Sequence, residues 1–382
     1  MKNKIMFVYL KTGGGHYSPA KALSDYINSQ FPDSCETCLV DGLNGSYKFS
    51  QMILERGYSF LQNHAVWIYE FIYLIHKIKF VASLSNYLIT KDTIKYLTEQ
   101  INREQPATIV VVHSFLINPV FEIIKKARLN PKVLVVVTDP YTAHPLWFAN
   151  EDANFVVFSD ELKAKCIDKG ICENKISVFP FVVNIKYSKA LEKDSISKLK
   201  RNYSLKHDKT VLIIGGADGL KNGARLILEI HKKVNNINLI FVCGRNEKLY
   251  KEILDIKMKK ALDDLIVLGF AENVYELINL ADLVITKCGA STIMEILLLK
   301  KIPLINSYLW EQEKGNLDYI VNNELGFYIK NSHKAAEKIF ELVSNSKLIN
   351  EYETNIARKN IKNGLPDVAA FIQQMSNGSP QN

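Results

Sequence analysis

Leu283-Val284-Ile285-Thr286-Lys287-Cys288-Gly289-Ala290-Ser291-Thr292-Ile293-Met294-Glu295 decides how the rest of the chain is read. Residues 283–286 form an unbroken run of strand-forming residues, the pattern of a strand buried on both faces. Gly289 lets the backbone turn sharply, and a helical pattern follows. A strand leading through glycine into a helix is the repeating step of a parallel α/β sheet. Ser291 and Thr292 at the helix start can cap it or hold a phosphate on its free N–H groups. Glu295 lies three residues beyond Thr292 and shares its helix face. It can accept both hydroxyls of a ribose, or it can close a capping box with Thr292.

Working outward, the same step recurs in both halves of the chain. Strand-like runs fall at 5–10, 37–40, 108–112, 133–138, 155–158 and 176–178. A second set falls at 210–214, 239–243, 266–268, 283–286 and 302–305. Most are continuous rather than alternating, with helical stretches between them. The expected fold is therefore α/β, with two doubly wound, Rossmann-like domains in tandem. The boundaries are expected at 1–183 for the first domain, 184–208 for a linker and entry helix, and 209–350 for the second domain. Residues 351–375 read as C-terminal helices that can pack back on the first domain, and 376–382 as a frayed tail.

A length of 382 residues suits about two domains. The net charge of +8 is spread along the second half without a Lys/Arg-rich run. No nucleic-acid partner is expected; an anionic small molecule or an anionic membrane surface suits a mildly basic protein. No apolar stretch approaches the ~18 residues of a membrane span. The apolar run at 5–10 is too short for a signal peptide, so the expected location is the cytoplasm. Cys35 and Cys38 sit three apart on a strand and face opposite sides, and the other four cysteines lack zinc-like spacing. No metal site is expected, and no cofactor. No Gly-x-Ser-x-Gly or GxxxxGK[ST] motif occurs.

Three other stretches could carry chemistry. Thr12-Gly13-Gly14-Gly15-His16 follows the first strand and precedes a helix expected to begin near Tyr17. His16 could take a proton from a hydroxyl at neutral pH; a glycine turn with a capping histidine is the other reading. Gly215-Gly216-Ala217-Asp218-Gly219 ends a strand and could hold phosphate oxygens on backbone N–H groups. Trp310-Glu311-Gln312-Glu313-Lys314-Gly315-Asn316 is a polar loop with side chains able to bind sugar hydroxyls. Residues 47–87 break the α/β rhythm and hold ten aromatic residues, among them Tyr58, Phe60, Trp67 and Phe71, with Lys and Arg interleaved. That mixture suits a helix at a lipid interface or an amphipathic helix packed on the sheet.

Taken in order, these motifs resemble the monogalactosyldiacylglycerol synthase and processive diacylglycerol glucosyltransferase group of glycosyltransferase family 28. The order is Gly13-Gly14-Gly15-His16; Thr138-Asp139 with His144 and Trp147; Gly215-Gly216-Ala217; Leu268-Gly269-Phe270; the run from Ala281 to Lys287 leading into Gly289 and Glu295; and Gln312-Glu313-Lys314-Gly315-Asn316. The resemblance spans nearly the whole chain. Departures are Phe179-Pro180-Phe181, where the family usually has Gly-x-Pro, and Cys288 and Ala290, where glycine or proline is common.

The resemblance implies a GT-B fold with an interdomain cleft, and an inverting enzyme moving glucose or galactose from a UDP-sugar to diacylglycerol or a related lipid as a β-glycoside. It implies His16 as the base, and Gly15, Asp139 and His144 on the acceptor side. Glu295 would hold the ribose and Phe270 would lie near the uracil. Gly215, Gly216, Gly289, Ser291 and Thr292 would face the diphosphate, and Gln312, Glu313 and Asn316 would read the sugar. No metal at the diphosphate is implied. The segment 47–87 would meet the inner face of the cell membrane, where the protein would sit peripherally. Two rival functions are UDP-N-acetylglucosamine transfer to a polyprenyl-linked peptidoglycan precursor and a non-catalytic protein that senses UDP-sugar or lipid.

Overall fold

A computed structural model describes residues 2–11, 14–45, 74 and 93–378. The expectations for 47–87, including Tyr58, Phe60, Trp67 and Phe71, concern residues outside those described. The chain forms two compact units. One takes in the described residues of Met1–Ile185, Leu309–Gln312 and Asn363–Asn382, and the other Lys186–Tyr308 and Glu313–Lys362.

The first unit holds a six-stranded parallel sheet in the order β2-β1-β3-β4-β5-β6. The strands are β1 (Asn3–Tyr9), β2 (Cys35–Asp41), β3 (Thr108–Val111), β4 (Lys132–Val136), β5 (Asn154–Val157) and β6 (Ile176–Val178). Helix α1 (Gly14–Gln30) connects β1 to β2, and the helix Ile117–Ala127 connects β3 to β4. Ile109, Val110, Leu134, Val135 and Val136 are wholly buried. Both faces of the central strands are covered, which is why their sequence is apolar without alternation. The last helix of the chain, α13 (Leu365–Ser376), packs against α1. Lys132 Nζ ties to it by donating to the Met375 carbonyl at 2.6 Å.

The second unit repeats the plan in the order β12-β11-β10-β7-β8-β9. Its strands are β7 (Lys209–Ile214), β8 (Ile237–Val242), β9 (Leu265–Leu268), β10 (Leu283–Lys287), β11 (Ile302–Ser307) and β12 (Phe327–Tyr328). Helices α6 (Gly223–Lys233) and α11 (Ser332–Ser344) share a core with these strands through Leu226, Ile230, Ala335 and Ile339. Helix α12 (Ser346–Arg358) runs across the limit expected at residue 350, and its Ile349 and Ile356 join that same core.

Both sheets are doubly wound. In the first, the chain moves outward from β1 to β2, then returns to place β3 on the other side of β1. In the second, β7, β8 and β9 run one way and β10, β11 and β12 the other. Each sheet therefore has one topological switch point, between β1 and β3 and between β7 and β10. Loops leaving the carboxyl ends of such strands part there and open a crevice, the position at which open α/β sheets bind ligands.

Candidate active site

At the first switch point, α1 begins at Gly14 rather than near Tyr17, so His16 stands in its opening turn. Pro19 lies inside this helix. It has no N–H to return to the Gly15 carbonyl, which therefore lacks its usual intrahelical donor. His16 Nδ1 lies 2.9 Å from Thr138 Oγ1, just beyond β4. The Val112 carbonyl holds a ring N–H of His16. The His113 ring packs against it with centroids 4.4 Å apart, and the Trp147 ring follows at 5.9 Å. Loss of hydration in this pocket pushes the His16 imidazole down from 6.5 to about 4. It is therefore neutral throughout the physiological range.

Asp139 follows Thr138 directly. Its Oδ2 accepts from Trp147 Nε1 at 2.8 Å, and Gln312 Nε2 lies 3.5 Å from Oδ1. His144 is buried and caps the short turn Pro145–Phe148, its Nδ1 accepting from the Leu146 N–H at 3.2 Å. His113 Nδ1 likewise accepts from the Phe115 N–H at 3.3 Å. Burial and the neighbouring His16 hold the His113 pKa well below the usual histidine range. The structure thus assembles His16, Thr138, Asp139, His144 and Trp147 at one end of one sheet, and it adds His113. A lone histidine after β3 gave no signal in the sequence; only the adjacency of β1 and β3 brings it to His16.

At the second switch point the loop after β7 is a tight glycine turn. A Cβ on Gly215 would stand 2.1 Å from the Gly219 backbone, and Gly216 has φ +77°. The loop after β8 locks it in place. Arg245 N–H donates to the Ala217 carbonyl at 2.6 Å, and a Cβ on Gly244 would fall 2.2 Å from that carbonyl oxygen. Lys287, at the end of β10, brings its ammonium within 3.7 Å of where a Gly216 Cβ would be. Lys221 has its pKa lowered by burial and by the charge of Lys287. Two cations thus gather at a turn rich in backbone N–H groups, an arrangement suited to a polyanion. Phe270 is 54% exposed, with the Arg245 guanidinium 4.7 Å from its ring centre.

Helix α9 (Ala290–Leu298) opens beside this turn. Its N-cap is Gly289, and no side chain caps it. The capping-box alternative for Thr292 and Glu295 is therefore excluded: Thr292 lies within the helix, where it cannot be the N-cap. The Ser291 hydroxyl is buried without a hydrogen-bond partner. Asn316, on α10 (Lys314–Asn322), donates from Nδ2 to the Cys288 carbonyl at 3.0 Å, and its Oδ1 is also buried without a partner. Glu313 is buried, with Oε1 3.8 Å from the position of a Gly289 Cβ. Gln312 belongs to the first unit, beside Asp139. Buried polar atoms are rarely left unpaired, and the Ser291 hydroxyl and Asn316 Oδ1 can each take a hydrogen bond from a polar ligand at this turn.

Glu295 is hydrogen-bonded to the hydroxyl of Tyr187 and feels the positive charge of Lys186. Burial nonetheless raises its carboxyl from 4.5 to about 7. Tyr187, Lys221 and Lys287 were not among the expected site residues. Lys287 alone had a sequence signal, as a cation at the end of the strand in 283–286.

Two doubly wound units with furnished switch points are the architecture of GT-B glycosyltransferases, and solved structures agree on the fold. MurG of Acinetobacter baumannii matches with a TM-score of 0.60 at 14% identity, covering 97% of this chain and 99% of its own. A putative UDP-N-acetylglucosamine 2-epimerase from Listeria monocytogenes matches at 0.64 and 11%, covering 100% and 99%. At such identities the likeness speaks for the fold alone.

The sequence is more specific. Residues 16–183 match the family model of monogalactosyldiacylglycerol (MGDG) synthase, and residues 210–372 that of the glycosyltransferase family 28 C-terminal domain. The chain belongs to this family, with the MGDG synthases. It is 27% identical over 351 residues to a probable MGDG synthase of Nicotiana tabacum, covering 87% of this chain and 63% of that protein. It is 28% identical over 367 residues to MGDG synthase 2 of Arabidopsis thaliana, covering 93% and 77%. The chain thus spans less than two thirds of the length of the tobacco relative. Among the described residues, no helix is long and apolar enough to cross a membrane.

Proposed function

We propose that the chain is an inverting glycosyltransferase that moves glucose or galactose from a UDP-sugar to diacylglycerol or a related membrane lipid, forming a β-glycoside. The protein works peripherally at the cytoplasmic face of a membrane, with residues 47–87 as its lipid contact. The observation that carries this reading is that a family 28 chain has both its switch points equipped. One holds a neutral histidine; the other holds a buried carboxylate, two ammonium groups and an uncapped helix end.

The acceptor hydroxyl gives its proton to the lone pair of His16 as its oxygen bonds to the anomeric carbon. The bond from that carbon to the diphosphate breaks on the opposite face, and the electron pair leaves with UDP. Thr138 and the Val112 carbonyl fix the imidazole plane, and Asp139 and His144 line the acceptor side. Lys287, Lys221, the Gly215–Gly216 turn and the N-terminus of α9 stabilise the charge that grows on the leaving diphosphate. Glu295 receives the ribose hydroxyls, Phe270 offers a face to the base, and Glu313 and Gln312 meet the sugar. No metal is needed in this scheme.

The test is to incubate the protein with UDP-glucose or UDP-galactose and diacylglycerol vesicles and read the linkage of the lipid product by proton NMR. A β-linked hexosyl-diacylglycerol supports the reading. Transfer from UDP-N-acetylglucosamine to a polyprenyl-linked acceptor alone, or UDP-sugar binding without any product, replaces it.

A further inference from the structure

His113 is buried at the first switch point, yet the transfer chemistry gives it no task. It stands two residues beyond β3 and caps the short turn Ser114–Leu116. Its Nδ1 accepts from the Phe115 N–H at 3.3 Å. An imidazolium has no lone pair to accept with, so this bond requires a neutral ring that carries its proton on Nε2. The ring is inclined at 52° to that of His16, with centroids 4.4 Å apart. On its other side the Phe115 ring lies 5.3 Å away, and Phe115 packs on the core of the first sheet. Three rings thus run in a row from that core to His16. The cap alone does not account for a histidine here. Ser, Thr, Asp and Asn are the preferred residues for capping a helical turn, and none of them would bring a ring to His16.

We propose that His113 is a positioning residue for His16: its ring holds the imidazole in place and steadies the positive charge that forms there during transfer, without touching the reacting atoms. The proposal rests on His16 being the base. When His16 takes the proton of the acceptor hydroxyl it becomes an imidazolium inside a pocket with little water. A cation within about 6 Å of an aromatic centroid is attracted by the π electrons of that ring, and His113 stands well inside this range. The charge is present in the transition state and absent from the bound substrates. An interaction of that kind raises kcat and leaves KM alone.

The test separates the ring from the cap. His113→Phe keeps a ring and loses the cap, His113→Leu loses both, and His113→Asn keeps a capping oxygen and loses the ring. Each is assayed on diacylglycerol vesicles with UDP-glucose or UDP-galactose, whichever the wild type transfers, and thermal melts show that each variant folds. His113→Leu and His113→Asn should each lose about tenfold in kcat, with donor and acceptor KM unchanged. His113→Phe should keep a kcat close to the wild type. In the His16→Ala background, His113→Leu should add no further loss of kcat. Equal kcat in His113→Phe and His113→Leu, whether high or low, overturns the proposal, because a merely structural side chain does not distinguish the two. A loss that falls on KM overturns it as well. If His16→Ala keeps its turnover, the base assignment fails and the proposal with it. If His16→Ala loses turnover while His113→Phe and His113→Leu stay equal, the positioning role alone fails. A wild type that forms no hexosyl lipid refutes the proposed function itself.

Discussion

Thr138 Oγ1 and His16 Nδ1 lie 2.9 Å apart across 122 residues of sequence. The contact exists because β1 and β4 flank β3 in one sheet and both loops leave from the same end of it. It fixes the histidine plane while burial keeps the ring neutral. His16→Ala should therefore lower turnover by about 10²–10⁴-fold while UDP affinity stays at the wild-type value. Thr138→Val should lower turnover by a smaller factor, roughly tenfold, through misorientation of the ring. The check is steady-state kinetics on lipid vesicles beside UDP titration of the same preparations.

The depressed His16 pKa has a consequence for stability. Its folded value of about 4 lies below the unfolded 6.5. The unfolded chain takes up the proton first as pH falls, so this stabilisation is complete above 6.5 and is lost progressively towards 4. The full difference is at most about 3 kcal/mol. His16→Gln should flatten the fall of Tm between pH 6.5 and 4 relative to the wild type, read by thermal melts across that window. The acid limb of turnover at saturating donor should show no inflection near 6.5.

The Glu295 pKa is shifted in the opposite direction. Burial raises its carboxyl to about 7, so the ionised form, to which the proposed function assigns the ribose, fills as pH rises through neutrality. The donor KM should climb as pH falls below 7, by up to tenfold per unit. In Glu295→Gln the donor KM should be high and lose this dependence. Initial rates over a grid of donor concentration and pH test both.

The glycine turn after β7 tolerates little. A Cβ at Gly244 would fall 2.2 Å from the Ala217 carbonyl oxygen, at a φ of +63°. Gly244→Ala should destabilise the second unit by about 2 kcal/mol and weaken UDP binding more than it affects the acceptor. A thermal melt paired with UDP titration separates the two effects.

Asn316→Ala would strip the Cys288 carbonyl of its buried donor at 3.0 Å. The cost should be about 1–3 kcal/mol, with weaker donor binding as the turn into α9 relaxes. Denaturant unfolding of the variant reads the first effect, and the donor KM reads the second.

The strands were legible because double-sided burial writes itself as unbroken Val and Ile, as in Val133 to Val137. The exception is β12, whose two residues Phe327 and Tyr328 are too few to carry a pattern. The start of α1 was read about one turn late, because glycine is a poor helix former, yet Gly14 and Gly15 are helical here. The spacing of Thr292 and Glu295 fits a capping box and a ligand face equally well, and only the cap at Gly289 separates them. His113, Lys221 and Tyr187 left no trace because each reaches its site through strand order, a turn or a buried hydroxyl. None of these has a period along the chain.

The most direct measurement is a donor-by-acceptor screen on lipid vesicles, with UDP-glucose, UDP-galactose and UDP-N-acetylglucosamine each set against diacylglycerol and a polyprenyl-linked acceptor. Lipid product and released UDP are read together. The account predicts a hexosyl-diacylglycerol formed in step with UDP release, and its disappearance in His16→Ala. Product on the polyprenyl acceptor alone, or UDP binding without product on any acceptor, would contradict it.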